Sequence, residues 1–275
     1  MSDGFQAGAQ PLFVGEDRWA EVRLLPWDTE IFGFGSAGLE LRLTRPEPTW
    51  RAAAATALRA WADAHGAVVI ATSVSAAERE RLDAMPELGF TVVDLALTMG
   101  LTITKRRPRT LRGAQLRLAE PADHAGIERI AARDFEFGRY HRDARFPRAL
   151  ANRRFAVWIG RGLATPRPGT RFFVMGPLGE PTGFMWAEIE NGRAMLHLAA
   201  VDRSSSNGLA GPRLFAGTVD ALEQEGVRNV SGKISAANTP VLNIYAALGF
   251  HASAPEYTFH WRQKDSPHLA ISAES

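Results

Sequence analysis

The feature that most constrains this chain is an internal repeat. Displaced by 160 positions, residues 66–90 fall on residues 226–250. Gly66 meets Gly226, Ser75-Ala76-Ala77 meets Ser235-Ala236-Ala237, Leu82 meets Leu242, and Leu88-Gly89-Phe90 meets Leu248-Gly249-Phe250, eight identities in 25 positions without a gap. Matched glycines in a matched order of helix cap, strand, helix and closing turn mark one supersecondary unit used twice. A chain of 275 residues has room for two halves with their own cores. The copies differ where chemistry would sit, because Met85 and Glu78 in the first stand where Tyr245 and Asn238 stand in the second.

Hydropathy patterning places strands at 20–25 and 38–43, a helix at 48–65, a buried strand at 67–73, a short helix at 75–85 and a strand at 91–104. A cationic stretch with a proline and a glycine follows, containing Lys105, Arg106, Arg107, Arg109 and Arg112. It predicts a linker at 105–114 between an N-terminal domain, 1–104, and a C-terminal domain, 115–275. The second half opens with a strand at 115–119 and helices from Pro121 and over 147–163. Three strands follow, 170–175, 182–190 and 193–201, the last two joined by Asn191-Gly192, a strong hairpin signal. A glycine-bearing turn at 204–211 leads into a helix closed by Gly226, then strand 227–235, helix 239–248 and strand 254–263. The expected fold class is α/β (α+β), with two related halves built on mixed central sheets flanked by helices.

Composition excludes several chemistries. The chain has no cysteine, so disulfides, thiolate metal sites and a thioester relay through a protein sulfur are absent. Its seven histidines show no metal-ligand spacing, and no apolar run suits a membrane span. A formal charge of +2 is too small to argue for a nucleic-acid partner, which is not expected, and no leader is visible, so the expected location is the cytoplasm.

Two segments carry chemistry. The unit HLAAV-DRSSSN-GLAG joins a strand, a glycine turn and a helix start, where backbone N–H groups and the helix dipole favour a phosphate. In the helix begun by Asn238-Thr239-Pro240, Asn238 is the expected N-cap. Val241, Leu242, Tyr245 and Leu248 share a face, so Tyr245 lies along an apolar stripe as a core residue or as a phenolic acid.

V-D-x5-G-x-A-G at 201–211, followed by A-N-x-P-x-L-x-x-Y-x-x-L-G-F at 237–250, resembles the GNAT superfamily of acyl-CoA-dependent N-acyltransferases over roughly 115–263. LPWDTEIFGFGSAGLEL (25–41) and FEFGRYHRDARFP (135–147) are similar to two-domain members of the dTDP-fucosamine acetyltransferase kind, which act on amino sugars. The resemblance implies two GNAT-like halves, the first degenerate and the second catalytic. It implies direct acyl transfer to the amine of a sugar nucleotide or specialised metabolite. The backbone of Leu198, Ala199, Ala200 and Val201 would hold a pantetheine arm. Ser206, Asn207, Gly208, Leu209, Ala210 and Gly211 would hold the pyrophosphate, aided by Arg213 and Asn238. Tyr245 would protonate the departing thiolate. His197, Glu188, Glu190 or a water chain would take the amine's proton, and His197, two residues before Ala199, is expected on the same strand face as Ala199. Tyr140, His141, Asp143 and Arg145 would line the acceptor pocket.

The chain departs from the pattern at the turn. Ser205 stands where the family has glutamine or arginine, and Pro212 removes an N–H from the helix's first turn. Arg203 and Arg213 are the expected replacements. These departures open one alternative, a donor on an acidic acyl carrier protein rather than coenzyme A, and the degenerate first half opens another, a non-catalytic binding module on the same fold.

Overall fold

The two copies of the repeat fold into the same hydrogen-bonded unit. In the first, the N–H of Glu78 donates to the Ser75 carbonyl (3.0 Å), Ala77 N–H to Ser75 Oγ (3.3 Å), Leu82 N–H to the Glu78 carbonyl (3.0 Å) and Phe90 N–H to the Met85 carbonyl (3.0 Å). In the second, Asn238 donates to Ser235 (3.0 Å), Ala237 to Ser235 Oγ (3.3 Å), Leu242 to Asn238 (3.0 Å) and Phe250 to Tyr245 (2.9 Å). Gly89 and Gly249 close the two units with φ of 87° and 83°, a left-handed conformation that a side chain would strain.

The structure is a computed structural model that describes residues 9–42, 48–103, 113–204, 208–253 and 255–263. In chain order the strands are β1 (Gln10–Val14), β2 (Asp17–Leu24), β3 (Gly35–Leu41), β4 (Ala67–Ser75), β5 (Phe90–Thr102), β6 (Arg117–Leu118), β7 (Thr170–Met175), β8 (Gly183–Glu190), β9 (Arg193–Val201), β10 (Asn229–Ser235), β11 (His251–Ala252) and β12 (Glu256–Arg262). The helices are α1 (Pro26–Phe32), α2 (Pro48–His65), α3 (Arg79–Ala84), α4 (His124–Arg133), α5 (Arg139–Arg142), α6 (Arg148–Ala164), α7 (Ala210–Gln224) and α8 (Thr239–Ala247). None of the described helices is long and apolar enough to cross a membrane.

Most elements fall where the periodicity predicts. Strand β1 and the short helices α1 and α5 were not expected, because α1 has seven residues and α5 four, too few to display a 3.6-residue period. Helix α3 starts at Arg79 rather than Ser75, since Ser75 is held in the turn by its bonds to Ala77 and Glu78.

The chain forms two units that do not follow chain order. One gathers the described residues up to Leu95 with 139–150 and 255–263, and the other holds those of 96–138 and 151–253. The predicted linker residues Lys105, Arg106, Arg107, Arg109 and Arg112 lie outside the described residues. The predicted halves 1–104 and 115–275 therefore differ from the observed units. The reason is strand pairing. Within the first unit β12 runs antiparallel to β4, with seven register pairs from Glu256↔Ser75 to Arg262↔Val69. Within the second, the later part of β5 runs antiparallel to β10, from Ala96↔Ser235 to Thr102↔Asn229. Each strand that closes a repeat thus pairs with the buried strand of the other copy. Strand β5 spans both units because its 13 residues extend about 43 Å.

In the first unit, helices α2 and α3 cover one sheet face through Ala54, Leu58, Ala84 and Met85, packed on Trp19, Ile70, Phe259 and Trp261. In the second unit the sheet runs β5-β10-β9-β8-β7-β6. Helices α7 and α8 cover one face with Leu214, Phe215, Val219, Tyr245 and Leu248. Helices α4 and α6 cover the other with Ile127, Ile130, Ile159 and Leu163. Mixed sheets, flanked by helices, are what the sequence predicts.

Candidate active site

The site lies in the second unit, where two parallel strands part. β9 and β10 pair in parallel at Arg193↔Asn229, Ala194↔Val230, Met195↔Ser231 and Leu196↔Gly232, and there the pairing stops. β10 continues to Ser235 and β9 to Val201, and among the described residues Leu198, Ala199, Ala200 and Val201 pair only with β8, opposite Trp186, Met185, Phe184 and Gly183. Along this stretch β9 has a backbone edge that β10 does not fill. Among the described residues, the N–H and C=O groups on that edge have no strand partner beyond Leu196.

Tyr245 stands at the vertex of this wedge. A Cβ added at Gly232, the last paired residue of β10, would lie 2.4 Å from the Tyr245 Oη and 3.4 Å from the Leu196 Cβ. Gly232 therefore clears the place of the phenol. The ring is 4% exposed and fixed between Phe215 (5.3 Å) and Phe250 (4.7 Å). Burial pushes the phenol's pKa well above its usual value, so it stays protonated through the neutral range. Among the described residues nothing hydrogen-bonds to Oη. In the first repeat Met85, fully buried, fills the matching position.

A bulge at His197 decides the other side. The β8–β9 register jumps between Trp186↔Leu198 and Ala187↔Leu196, leaving His197 without an opposite residue. Leu196 packs on the α7/α8 face with Ala199 and Val201, whereas Leu198 and Ala200 pack on the α4/α6 face. The expectation that His197 and Ala199 share a strand face is thereby corrected. Strict alternation fails at the extra residue, and the imidazole lies with Trp186 (5.1 Å) and Trp158 (6.2 Å). Its Nε2 is 3.2 Å from Glu188 Oε2, without the alignment of a hydrogen bond. Burial lowers the His197 pKa, and the Glu188 charge opposes that shift without cancelling it. At neutral pH the ring is a neutral base.

The glycine turn is partly described, with Ser206 and Asn207 outside the described residues. Gly208 faces open space, and α7 begins at Ala210 with Gly211 next. Pro212 has no N–H, so Ala210 and Gly211 supply the donors that the helix start leaves outside its own ladder. Leu209 is 60% exposed. Arg203 is not turned to this role, because it pairs with Glu136 (2.7 Å) and Asp134 (3.9 Å). Arg213 is exposed, and with Leu209, Pro212 and Asp220 it lines a groove of about 820 Å³ along α7. Asn238 is an N-cap whose side chain accepts from the Val241 N–H (3.3 Å), so its hydrogen-bonding role is to start α8.

The four expected acceptor residues lie in the first unit, and two are consumed by it. Tyr140 (4% exposed) donates to Asp28 (3.0 Å) and receives a bond from Arg139 (2.9 Å). Asp143 (3% exposed) is bound by His260 Nδ1 (2.7 Å), by Arg262 and by the Arg145 N–H (3.1 Å). Both side chains anchor residues 139–150 to the first unit, with Phe32 and Phe146 packed on the Tyr140 ring. Arg145 is exposed and His141 half-buried. Of the polar residues of 135–147, the side chains of Arg139, Tyr140 and Asp143 belong to this buried network.

The network makes the first unit acid-sensitive. Burial lowers the pKa of His260 to about 4, against the stabilising pull of Asp143. The unfolded chain takes up that proton near pH 6.5, the folded unit only near 4, so stability is full above about 6.5 and falls as pH drops through that window. The expected loss is about 3 kcal/mol. Burial raises the Asp143 pKa, but bonds from His260 and Arg262 outweigh this and hold it below the usual value, adding a further loss under pH 4. Thermal melts from pH 7 to pH 4 measure this, and His260→Gln should flatten the slope. An unchanged slope in that variant would refute the assignment.

No family model and no curated protein matches the chain. Solved structures do. A GCN5-related N-acetyltransferase from Sphaerobacter thermophilus aligns with a TM-score of 0.62 at 15% identity, over 90% of this chain and 79% of that one. A second from Kribbella flavida aligns at 0.55 and 16%, over 86% and 83%. The fold is that of the GNAT N-acetyltransferases. A tandem GNAT protein from the clavulanic acid biosynthesis pathway, solved without acetyl-CoA, aligns at 0.55 and 16% identity over 91% of this chain and 81% of that one. That two-domain likeness fits the internal repeat. Trp158 and Trp186, which border His197, are not singled out by the sequence, since aromatics at helical and strand spacing read as core.

Proposed function

We propose that the protein is an N-acyltransferase that moves an acyl group from a pantetheine thioester to a primary amine in one ternary complex. The carrying observation is the phenol of Tyr245 at the vertex of the β9–β10 wedge. A pantetheine arm lying along the open edge of Leu198–Val201 brings its thioester into the plane of the sheet. From one face Tyr245 gives its proton to sulfur. From the other, the amine approaches past His197 and Glu188. The amine nitrogen bonds to the carbonyl carbon, the carbon–sulfur bond breaks, and the thiolate takes the phenolic proton. The amine's excess proton passes to His197, which burial favours in its neutral, proton-accepting form. Unpaired β9 N–H groups polarise the thioester carbonyl.

Acyl-CoA is the donor of the main reading, held at its pyrophosphate by Gly208, Ala210, Gly211 and Arg213. The likeness of 25–41 and 135–147 to amino-sugar enzymes supports a sugar nucleotide or specialised metabolite as acceptor. A carrier-bound donor is the second reading, favoured by the engagement of Arg203 with Glu136 and by Pro212, which together thin the phosphate site. Calorimetric titration with coenzyme A separates the two. Micromolar binding is expected, and no heat at millimolar coenzyme A would remove the first reading. Thiol release from neither acyl-CoA nor acyl-carrier, over a panel of amines, would refute acyl transfer.

A further inference from the structure

At the other end of the paired stretch of β9 and β10, away from the wedge, the second unit carries a separate concavity. Its walls follow from the register. Arg193, Asn229 and Thr102 stand side by side on β9, β10 and β5, and in a parallel row Ser231, Gly100 and His251 stand side by side on β10, β5 and β11. Residues opposite one another share a face, so both rows look out from one side of the sheet. The intervening Val230 and Leu101 turn into the core under α7 and α8. On the outward side, the core under α4 and α6 takes residues from β7, β8 and β9 and, among the described residues, none from β5 or β10. What remains is a trough of about 470 Å³, a volume that suits a small molecule. Gly100 is its floor, where an added Cβ would meet nothing within 4 Å.

The trough offers hydrogen-bond donors and no acid. Thr102 Oγ1 donates to Asn229 Oδ1 (3.2 Å), which leaves both amide N–H bonds of Asn229 without a partner among the described residues. The side chains of Arg193 and His251 make no ion pair or hydrogen bond among the described residues either. Glu190, opposite Arg193 on β8, stands across β9 from the trough and does not line it. Arg193 and Asn229 are neighbours about 4.8 Å apart at the backbone, so one phosphoryl group reaches both, and a guanidinium grips it by two N–H bonds. His251 lies two strands beyond Asn229, about 10 Å away, which leaves the width of a sugar ring between them. Hydroxyls of Thr102 and Ser231 and the backbone about Gly100 and Gly249 complete the lining, and no apolar side chain enters it.

From this we infer a binding site for a sugar phosphate, its phosphoryl group at Arg193 and Asn229 and its hydroxylated ring over Gly100 against His251. The inference does not rest on the proposed acyl transfer, because the wedge opens only beyond Leu196 and Gly232 and Tyr245 belongs to the opposite face of the sheet.

Calorimetric titration of the full chain with glucose 6-phosphate is the test. Submillimolar binding is expected, at least roughly tenfold tighter than that of glucose, the scale of hydrogen bonds to a charged group. Arg193→Gln should remove that preference. Gly100→Val blocks the floor without a clash, and a β-branched residue suits a strand, so the melting temperature should hold while binding falls below detection. No heat with glucose 6-phosphate at millimolar concentration, equal binding of glucose, or binding that survives both variants overturns the inference. So does inorganic phosphate that binds as tightly as glucose 6-phosphate, since the ring would then contribute nothing.

Discussion

Tyr245→Phe is expected to lower kcat for thiol release by roughly 10²- to 10³-fold, the scale of a lost general acid. The same change should leave the melting temperature and donor affinity nearly unaltered. Phenylalanine keeps the ring wedged between Phe215 and Phe250, and among the described residues the lost hydroxyl has no hydrogen-bond partner to strand. A core tyrosine with a merely structural hydroxyl gives the opposite pattern, stability affected and turnover intact. A pH profile adds a second criterion. The basic limb of kcat, set by a phenol that burial holds protonated, should disappear in the variant. Full turnover in Tyr245→Phe would refute the role assigned to the phenol.

Ending the chain after Ser253 is expected to unfold the first unit. Strand β12 supplies Phe259 (3% exposed), His260 (0%) and Trp261 (5%), and it pairs with β4 over seven register positions. Truncating a buried Phe or Trp to alanine costs about 3–5 kcal/mol. The loss of both, together with a ladder of backbone bonds, is of the order of a domain's whole stability, about 5–15 kcal/mol. Strand β4 would also become an edge strand of nine mostly buried residues, a site for aggregation. Limited proteolysis should show cleavage within 9–95, while residues 151–253 stay protected. Wild-type protection of 9–95 in the shortened chain would show that β12 is dispensable.

Parts of the site were legible because local rules govern them. Asn238 before a proline, the 3.6-residue spacing of Val241, Leu242, Tyr245 and Leu248, and the hairpin dipeptide at 191–192 each act within a few residues. The repeat displayed the phenol by contrast, since Met85 occupies its place in the other copy. The acceptor side was not legible. Tyr140 and Asp143 are polar residues in a polar segment, and only the arrival of Asp28, His260 and Arg262 from distant stretches of chain turns them into a buried network. Trp158 and Trp186 have the spacing of ordinary core residues, and their alignment with Glu188 requires the folded sheet.

By itself the sequence determined most of the helices and strands, that one supersecondary unit occurs twice, and which copy carries a phenol on its second helix. Tertiary structure alone decided that β12 pairs with β4 and β5 with β10, and that His197 faces Trp158 rather than sharing a face with Ala199. Periodicity states which side of its own strand a residue occupies, because the backbone alternates by local geometry. The partner of that strand, the residue at which a bulge shifts the alternation and the point at which two strands part depend on contacts between residues far apart in the chain.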